Sequence, residues 1–231
     1  MSRAAALLDR LGRPGAIRLG TAHATGPARL PTGLPGLDAL LGGGLPRGSI
    51  SEVSGRRSAG RTGLACAVAA AATARGEVIA WVDPDDALDP EAATTAGIRL
   101  ERMLWVRPRH PGDALPAAEL LLGAGGFGLV VLDLAGSAPP GLPRGAAAGR
   151  AWARLAQAAE RTRSTLLVVG PTRQAGAFAA LGLDLGPHRA RWSGGRGRLL
   201  LLDGVTARVT VARSRAGGLG RALVVRHAAC A

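Results

Sequence analysis

Residues 49–62 read Ser49-Ile50-Ser51-Glu52-Val53-Ser54-Gly55-Arg56-Arg57-Ser58-Ala59-Gly60-Arg61-Thr62. Residues 49–54 suit a strand, 55–61 a glycine-bearing loop, and 62–75 an alanine-rich helix. That order makes an anion cradle, because loop N–H groups and a helix N-terminus converge on one point. A phosphate-binding loop, G-x-x-x-x-G-K-[ST], adds a lysine for the terminal phosphates and a hydroxyl for Mg²⁺. Gly55, Gly60 and Thr62 fill their positions, and Arg61 stands where the lysine would be. A guanidinium keeps the charge, but its broad planar fork does not fit a socket shaped for an ammonium.

Outward from this loop, strands and helices alternate. The apolar run at 77–83 predicts a buried strand, and further strands are expected at 103–106, 128–134 and 165–170. Helices fall between them at about 90–97, 113–123 and 146–162. Strands with near-continuous apolar cores alternating with helices predict an α/β fold with a mostly parallel sheet flanked by helices. After Gly182 the rhythm changes to short strands, expected at 198–202, 207–211 and 222–226. Tight turns at Asp203-Gly204 and Gly217-Gly218 would join them as antiparallel hairpins. At the other end, residues 1–27 read as an appendage: a short helix with Leu7, Leu8 and Leu11 on one face, a glycine-proline break and a brief strand. Residues 28–231 form the core domain.

Two acidic features accompany the loop. Leu129-Val130-Val131-Leu132-Asp133 is an apolar strand ending in a carboxylate, which could hold Mg²⁺ together with Thr62 or serve only as a loop anchor. Trp81-Val82-Asp83-Pro84-Asp85-Asp86-Ala87-Leu88-Asp89-Pro90 places four carboxylates just past a strand. In a parallel sheet, ligands sit outside the carboxyl ends of the strands. Asp85 is thus the candidate catalytic residue, polarising a water near a phosphate; a solvated acidic loop capping the next helix is the other reading.

Of 231 residues, 47% are hydrophobic and 19% charged, enough apolar material for a substantial core. The 29 basic residues are all arginine, and with no Asn or Tyr this indicates GC-rich coding. Acidic residues number only 16, so the surplus of +13 is not a codon effect. Such a surplus favours a polyanion partner. Arg189, Arg191, Arg196 and Arg198 surround Trp192, which suits single-stranded nucleic acid through phosphate contact and base stacking. A core Trp192 with outward arginines is the alternative. Arg208, Arg213, Arg215, Arg221 and Arg226 alternate with apolar residues along expected strands, the pattern of a half-exposed sheet. The two cysteines, Cys66 and Cys230, form no metal or disulfide pattern, and no apolar run nears the ~18 residues of a membrane span. A reducing cytoplasm is expected.

Taken together, the loop, the acidic segment and the carboxylate-ended strand resemble the RecA recombinase family. Residues 28–55 look like its lead-in to the phosphate loop, residues 83–90 like its IDAEHALDP segment, and residues 15–20 like the piece that docks one protomer on another. The resemblance implies a RecA-like core in which the lysine falls on Arg61, the catalytic glutamate on Asp85, the adenine-stacking tyrosine on Ala92 and the γ-phosphate-sensing glutamine on Pro171. ATP and Mg²⁺ binding through Gly55, Gly60, Arg61, Thr62 and Asp133 would then be weak. A short chain of this kind is similar to the ImuA accessory proteins of mutagenesis cassettes. That similarity implies an adaptor of damage-induced translesion synthesis, with DNA, a polymerase-like ImuB-type protein, an error-prone polymerase subunit and RecA as partners. A DNA-dependent ATPase of the RecA family is the alternative.

Overall fold

The computed structural model describes residues 28–134, 136, 145–194 and 201–228. The expected appendage at 1–27, with its docking segment, lies outside them, as do Arg196, Arg198 and Cys230. The elements are β1 (Arg29–Leu30), α1 (Pro35–Leu41), β2 (Leu45–Pro46), β3 (Ile50–Gly55), α2 (Arg61–Ala74), β4 (Ile79–Val82), α3 (Pro90–Thr95) and β5 (Met103–Val106). They continue with α4 (Ala114–Ala124), β6 (Leu129–Asp133), α5 (Gly145–Thr162), β7 (Thr165–Gly170), β8 (Ala179–Ser193), β9 (Leu201–Ser214) and β10 (Ala222–Ala228).

Eight strands form one sheet in the order β10-β9-β8-β3-β7-β6-β4-β5. From β8 to β5 every neighbouring pair is parallel, and β8, β9 and β10 pair antiparallel. The apolar runs explain the parallel half: every residue of β4, β6 and β7 is buried, as a strand covered on both faces must be. Alternate residues feed two cores. Val53, Trp81, Val131 and Val169 join α2 residues Leu64, Val68 and Ala72 on one side. Ile50, Val82, Leu132 and Val168 join Leu122 of α4 and Trp152 and Leu155 of α5 on the other.

The lead-in is pinned before the phosphate loop begins. β1 pairs antiparallel with β2, and Asp38 of α1 accepts bonds from the Thr32 backbone N–H and hydroxyl, both at 2.8 Å. The intervening turn passes through Gly44 at φ +119°, where a Cβ would collide with the Leu30 carbonyl.

The antiparallel half departs from the expected short strands. β8 runs unbroken through Gly182 and Gly186, a stretch in which no strand is expected from the sequence. Pairing with β3 on one side and β9 on the other satisfies its backbone, and register shifts after Gly182 and after Leu185 absorb the irregularity. The expected turn at Asp203-Gly204 is therefore absent: both residues lie within β9, and Gly204 pairs with Arg191. The turn at Gly217-Gly218 does join β9 to β10, with both glycines at positive φ.

Candidate phosphate site

β3 stops at Gly55 and α2 starts at Arg61, so residues 56–60 loop over the N-terminus of a 14-residue helix. The chain reverses at Ser58, φ +63°, and Gly60, φ +91°, while the Ala59 N–H donates to the Arg56 carbonyl at 3.1 Å. Gly55 holds the loop close to the sheet, since a Cβ there would meet the Leu185 carbonyl oxygen of β8 at 2.7 Å. The concavity beyond the loop has a volume of about 420 Å³. Gly60, Arg61, Thr62, Asp83, Asp85 and Asp133 are among the residues lining it. Residues from three separate stretches of sequence thus meet at one place.

Within it, Arg61 and Asp133 are both 6% exposed. Burial pushes the Arg61 guanidinium below its ordinary pKa; the Asp133 carboxylate opposes that shift and Arg57 adds to it. Arg61 stays charged, as guanidinium does in proteins. The carboxylate at the Mg²⁺ position is therefore electrostatically engaged by a buried cation of this chain. Mg²⁺ demands near-ideal octahedral oxygen ligation and keeps several waters, so Asp133 would have to serve it while engaged by a guanidinium broader than the usual ammonium. Arg61 and Asp133 are the side chains that would meet a triphosphate and its Mg²⁺ here, with a broad guanidinium in place of a slender ammonium. Thr62 is exposed at the helix start.

The four carboxylates of the acidic segment separate into distinct tasks. Asp83 is 1% exposed and accepts the backbone N–H groups of Ala87 and Leu88 at 3.0 and 2.9 Å and the Trp105 indole N–H at 3.2 Å. Asp86 pairs with Arg107, whose guanidinium lies 4.6 Å from the Trp105 ring centroid. Asp89 caps α3 by accepting from Glu91 N–H and Ala92 N–H. Asp85 lines the concavity with its carboxylate exposed and lying against Gly136, whereas Asp83, which also lines it, is buried and bonded. Three of the four are thus structural, the loop-and-cap role that composition also allowed, and Asp85 keeps its place at the mouth.

One residue escaped the sequence reading. Glu52 of β3 is 2% exposed, and its Oε1 accepts the N–H groups of Gln174 and Ala175 at 2.6 Å each. Burial raises its pKa, against the opposing pull of those two bonds and of Arg173 and Arg213. The available signal was a carboxylate inside a strand whose neighbours are all buried. Glu52 ties the segment after β7 to the strand that feeds the phosphate loop. In that segment Pro171 occupies the position expected of a sensing amide, and the Gln174 side chain donates to Thr172 instead.

The arginine-tryptophan cluster is only partly described. Arg189, Arg191 and Trp192 lie on β8 where it extends past β3, paired only with β9, and all are exposed, Trp192 by 57%. Arg189 and Arg191, two residues apart, share a face of β8 by alternation, and the register with β9 shifts between Arg191 and Trp192. Among the described residues no helix is long and apolar enough to cross a membrane, and no group of three or more His, Cys, Asp or Glu side chains could hold a metal ion.

The "RecA N-terminal domain" family matches residues 2–149. Protein RecA of Clavibacter michiganensis subsp. michiganensis is 38% identical over 135 residues, covering 58% of this chain and 37% of that protein. Protein RecA of Thermus thermophilus is 38% identical over 137 residues, covering 59% and 40% respectively. The chain thus spans about two fifths of the length of these relatives. Among solved structures, the crystal structure of the RadB recombinase superposes with a TM-score of 0.65 at 21% identity, covering 85% of this chain and 95% of that one, a likeness of fold. The chain belongs to the RecA N-terminal domain family.

Proposed function

We propose that this chain is a non-catalytic accessory protein of damage-induced translesion synthesis, of the ImuA kind: a RecA-like core that binds DNA and recruits repair proteins through its surface. The observation that carries the reading is the burial of Arg61 together with Asp133, each 6% exposed and electrostatically coupled. A carboxylate engaged by a buried guanidinium of its own chain is less available to Mg²⁺, and the guanidinium's shape differs from the ammonium that grips terminal phosphates. Ala92 and Pro171 supply no ring and no amide at the positions where the family resemblance expects them. The formal charge of +13 suits a DNA partner. The further partners in this reading are a polymerase-like ImuB-type protein, an error-prone polymerase subunit and RecA.

Phosphate release from Mg²⁺-ATP, measured with and without single-stranded DNA, tests the reading. We expect no turnover above background under either condition. Turnover stimulated by DNA and abolished by Thr62→Ala or Asp133→Ala would instead make the chain a DNA-dependent ATPase.

A further inference from the structure

Beside the phosphate site lies a second, larger concavity, about 1240 Å³ in volume, that shares only Arg57 with it. We infer that this trough seats the sugar-phosphate backbone of single-stranded DNA. The inference rests on the DNA-binding part of the proposed function and names the surface responsible.

The trough exists because, among the described residues, no helix covers one face of the antiparallel half of the sheet. Leu181, Leu183 and Leu185 of β8 enter the core shared with α2. By alternation, Gly182, Asp184 and Gly186 face the other way. Core residues of α4 and α5 pack there only against strands β3 to β7 and the start of β8. The two glycines leave the floor without side chains. At Gly182 a Cβ would meet the Arg213 Cβ at 3.2 Å and the Arg173 Cδ at 3.5 Å, so its absence lets those two arginines lie together.

The walls are cationic. Arg56 and Arg57 rise from the loop after β3, Arg173 from the segment after β7, and Arg213 from β9. Asp184 is the one carboxylate in the lining, and the Ser54 hydroxyl donates to it. Glu52 of the neighbouring β3 is within electrostatic reach of Arg173 and Arg213, and Arg56 and Arg57 are the other two cations of the lining. Both are exposed, and no ion pair holds either among the described residues. Arg213 is itself positioned, its Nε donating to the Ala179 carbonyl at 2.6 Å.

Shape selects among polyanions. Arg213 stands on β9 and Arg56 and Arg57 on the loop that leaves β3, the two strands flanking β8, so the floor between them is two inter-strand spacings across, roughly 10 Å. That width admits one nucleic-acid strand and is narrower than the ~12 Å major groove of a duplex alone. Among the described residues no aromatic ring lines the trough, so it offers phosphate contacts without base stacking. Binding there is therefore independent of base sequence and steeply dependent on salt.

The test is fluorescence anisotropy of a labelled twenty-nucleotide thymidine oligomer at several salt concentrations. The proteins compared are the full chain, a triple variant Arg56→Ala/Arg57→Ala/Arg173→Ala, and a hairpin variant Arg191→Ala/Trp192→Ala. All the altered residues are exposed, and circular dichroism with urea melts confirms that each variant folds. The trough variant is expected to lose affinity about tenfold or more, with the slope of log affinity against log salt reduced by about 2, at ~0.7 per phosphate contact. The hairpin variant should change far less. If the trough variant binds as the parent does while the hairpin variant loses binding, the trough is the wrong surface although DNA binding stands. Tighter binding of a duplex, or displacement of the oligomer by poly-glutamate at equal charge concentration, would also overturn the inference. If the parent chain fails to bind the oligomer at low salt, the DNA reading itself falls.

Discussion

The Glu52 carboxylate accepts the Ala175 backbone N–H at 2.6 Å across 123 residues of sequence, from the interior of the strand that leads into the phosphate loop. With the parallel bond from Gln174, it makes the segment after β7 part of the same rigid unit as the loop.

Burial raises the pKa of Glu52 in the folded protein, despite its bonds from Ala175 and Gln174. The folded state therefore holds this proton to higher pH than the unfolded state does. Its contribution to stability is fully present below the ordinary glutamate pKa and declines as pH rises through the folded value. Glu52→Gln, which keeps the Oε1 acceptor, should remove this decline, whereas Glu52→Ala should cost about 2 kcal/mol by orphaning two N–H donors. Urea midpoints of the three proteins between pH 4 and 8 check both expectations.

Asp83 holds the turn at 83–88 and the Trp105 indole by three hydrogen bonds while almost wholly buried. Asp83→Ala should destabilise the fold by about 3 kcal/mol, since a buried charged acceptor leaves several donors unpaired when it is removed. The same change should quench or red-shift the tryptophan fluorescence as Trp105 loses its partner. Asp85→Ala, exposed and two residues away, should leave the urea midpoint within about 0.5 kcal/mol of the parent.

Arg61→Lys tests whether the guanidinium is what closes the phosphate site. A slender ammonium restores the shape that the loop accommodates. Isothermal titration with Mg²⁺-ATP should show affinity rising about tenfold, equivalent to about 1.4 kcal/mol. Equal heats from parent and variant would show that the coupling of Arg61 to Asp133 does not decide nucleotide binding.

Gly44 sits at φ +119° with the Leu30 carbonyl where a Cβ would project. Gly44→Ala should therefore cost about 3 kcal/mol or more, because both the backbone conformation and the contact are forbidden to a side chain. Gly42, also at positive φ but in open space, should cost about 1 kcal/mol when changed to Ala. Chemical denaturation of the two variants side by side separates strain from collision.

Much of the architecture was legible locally. The strands at 103–106 and 165–170 appear where the apolar runs predict them, because a strand buried on both faces writes itself as an uninterrupted apolar stretch. The antiparallel half was not legible. Gly182, Gly186 and Gly204 carry turn propensity, and only pairing with β3 and β9 on either side makes them strand residues. The candidate site divides the same way. The spacing of Gly55, Gly60 and Thr62 marked the loop, yet nothing local distinguishes Asp83 as a buried anchor, Asp86 as an ion-pair partner and Asp85 as the residue left at the mouth.

The sequence by itself determined the kind of machine: a strand, a glycine loop and a helix, with an arginine in the lysine's place and a cationic surplus that composition cannot explain. Only the tertiary structure decided where those charges act. It buried Arg61 with Asp133, set Glu52 beneath the segment after β7, and left the glycine floor of β8 bare between arginines from three different elements. The physical reason is that covalent neighbours dictate backbone conformation over a few residues. Burial, electrostatic coupling and concavity arise between groups more than a hundred residues apart, and exist only once the sheet has brought them together.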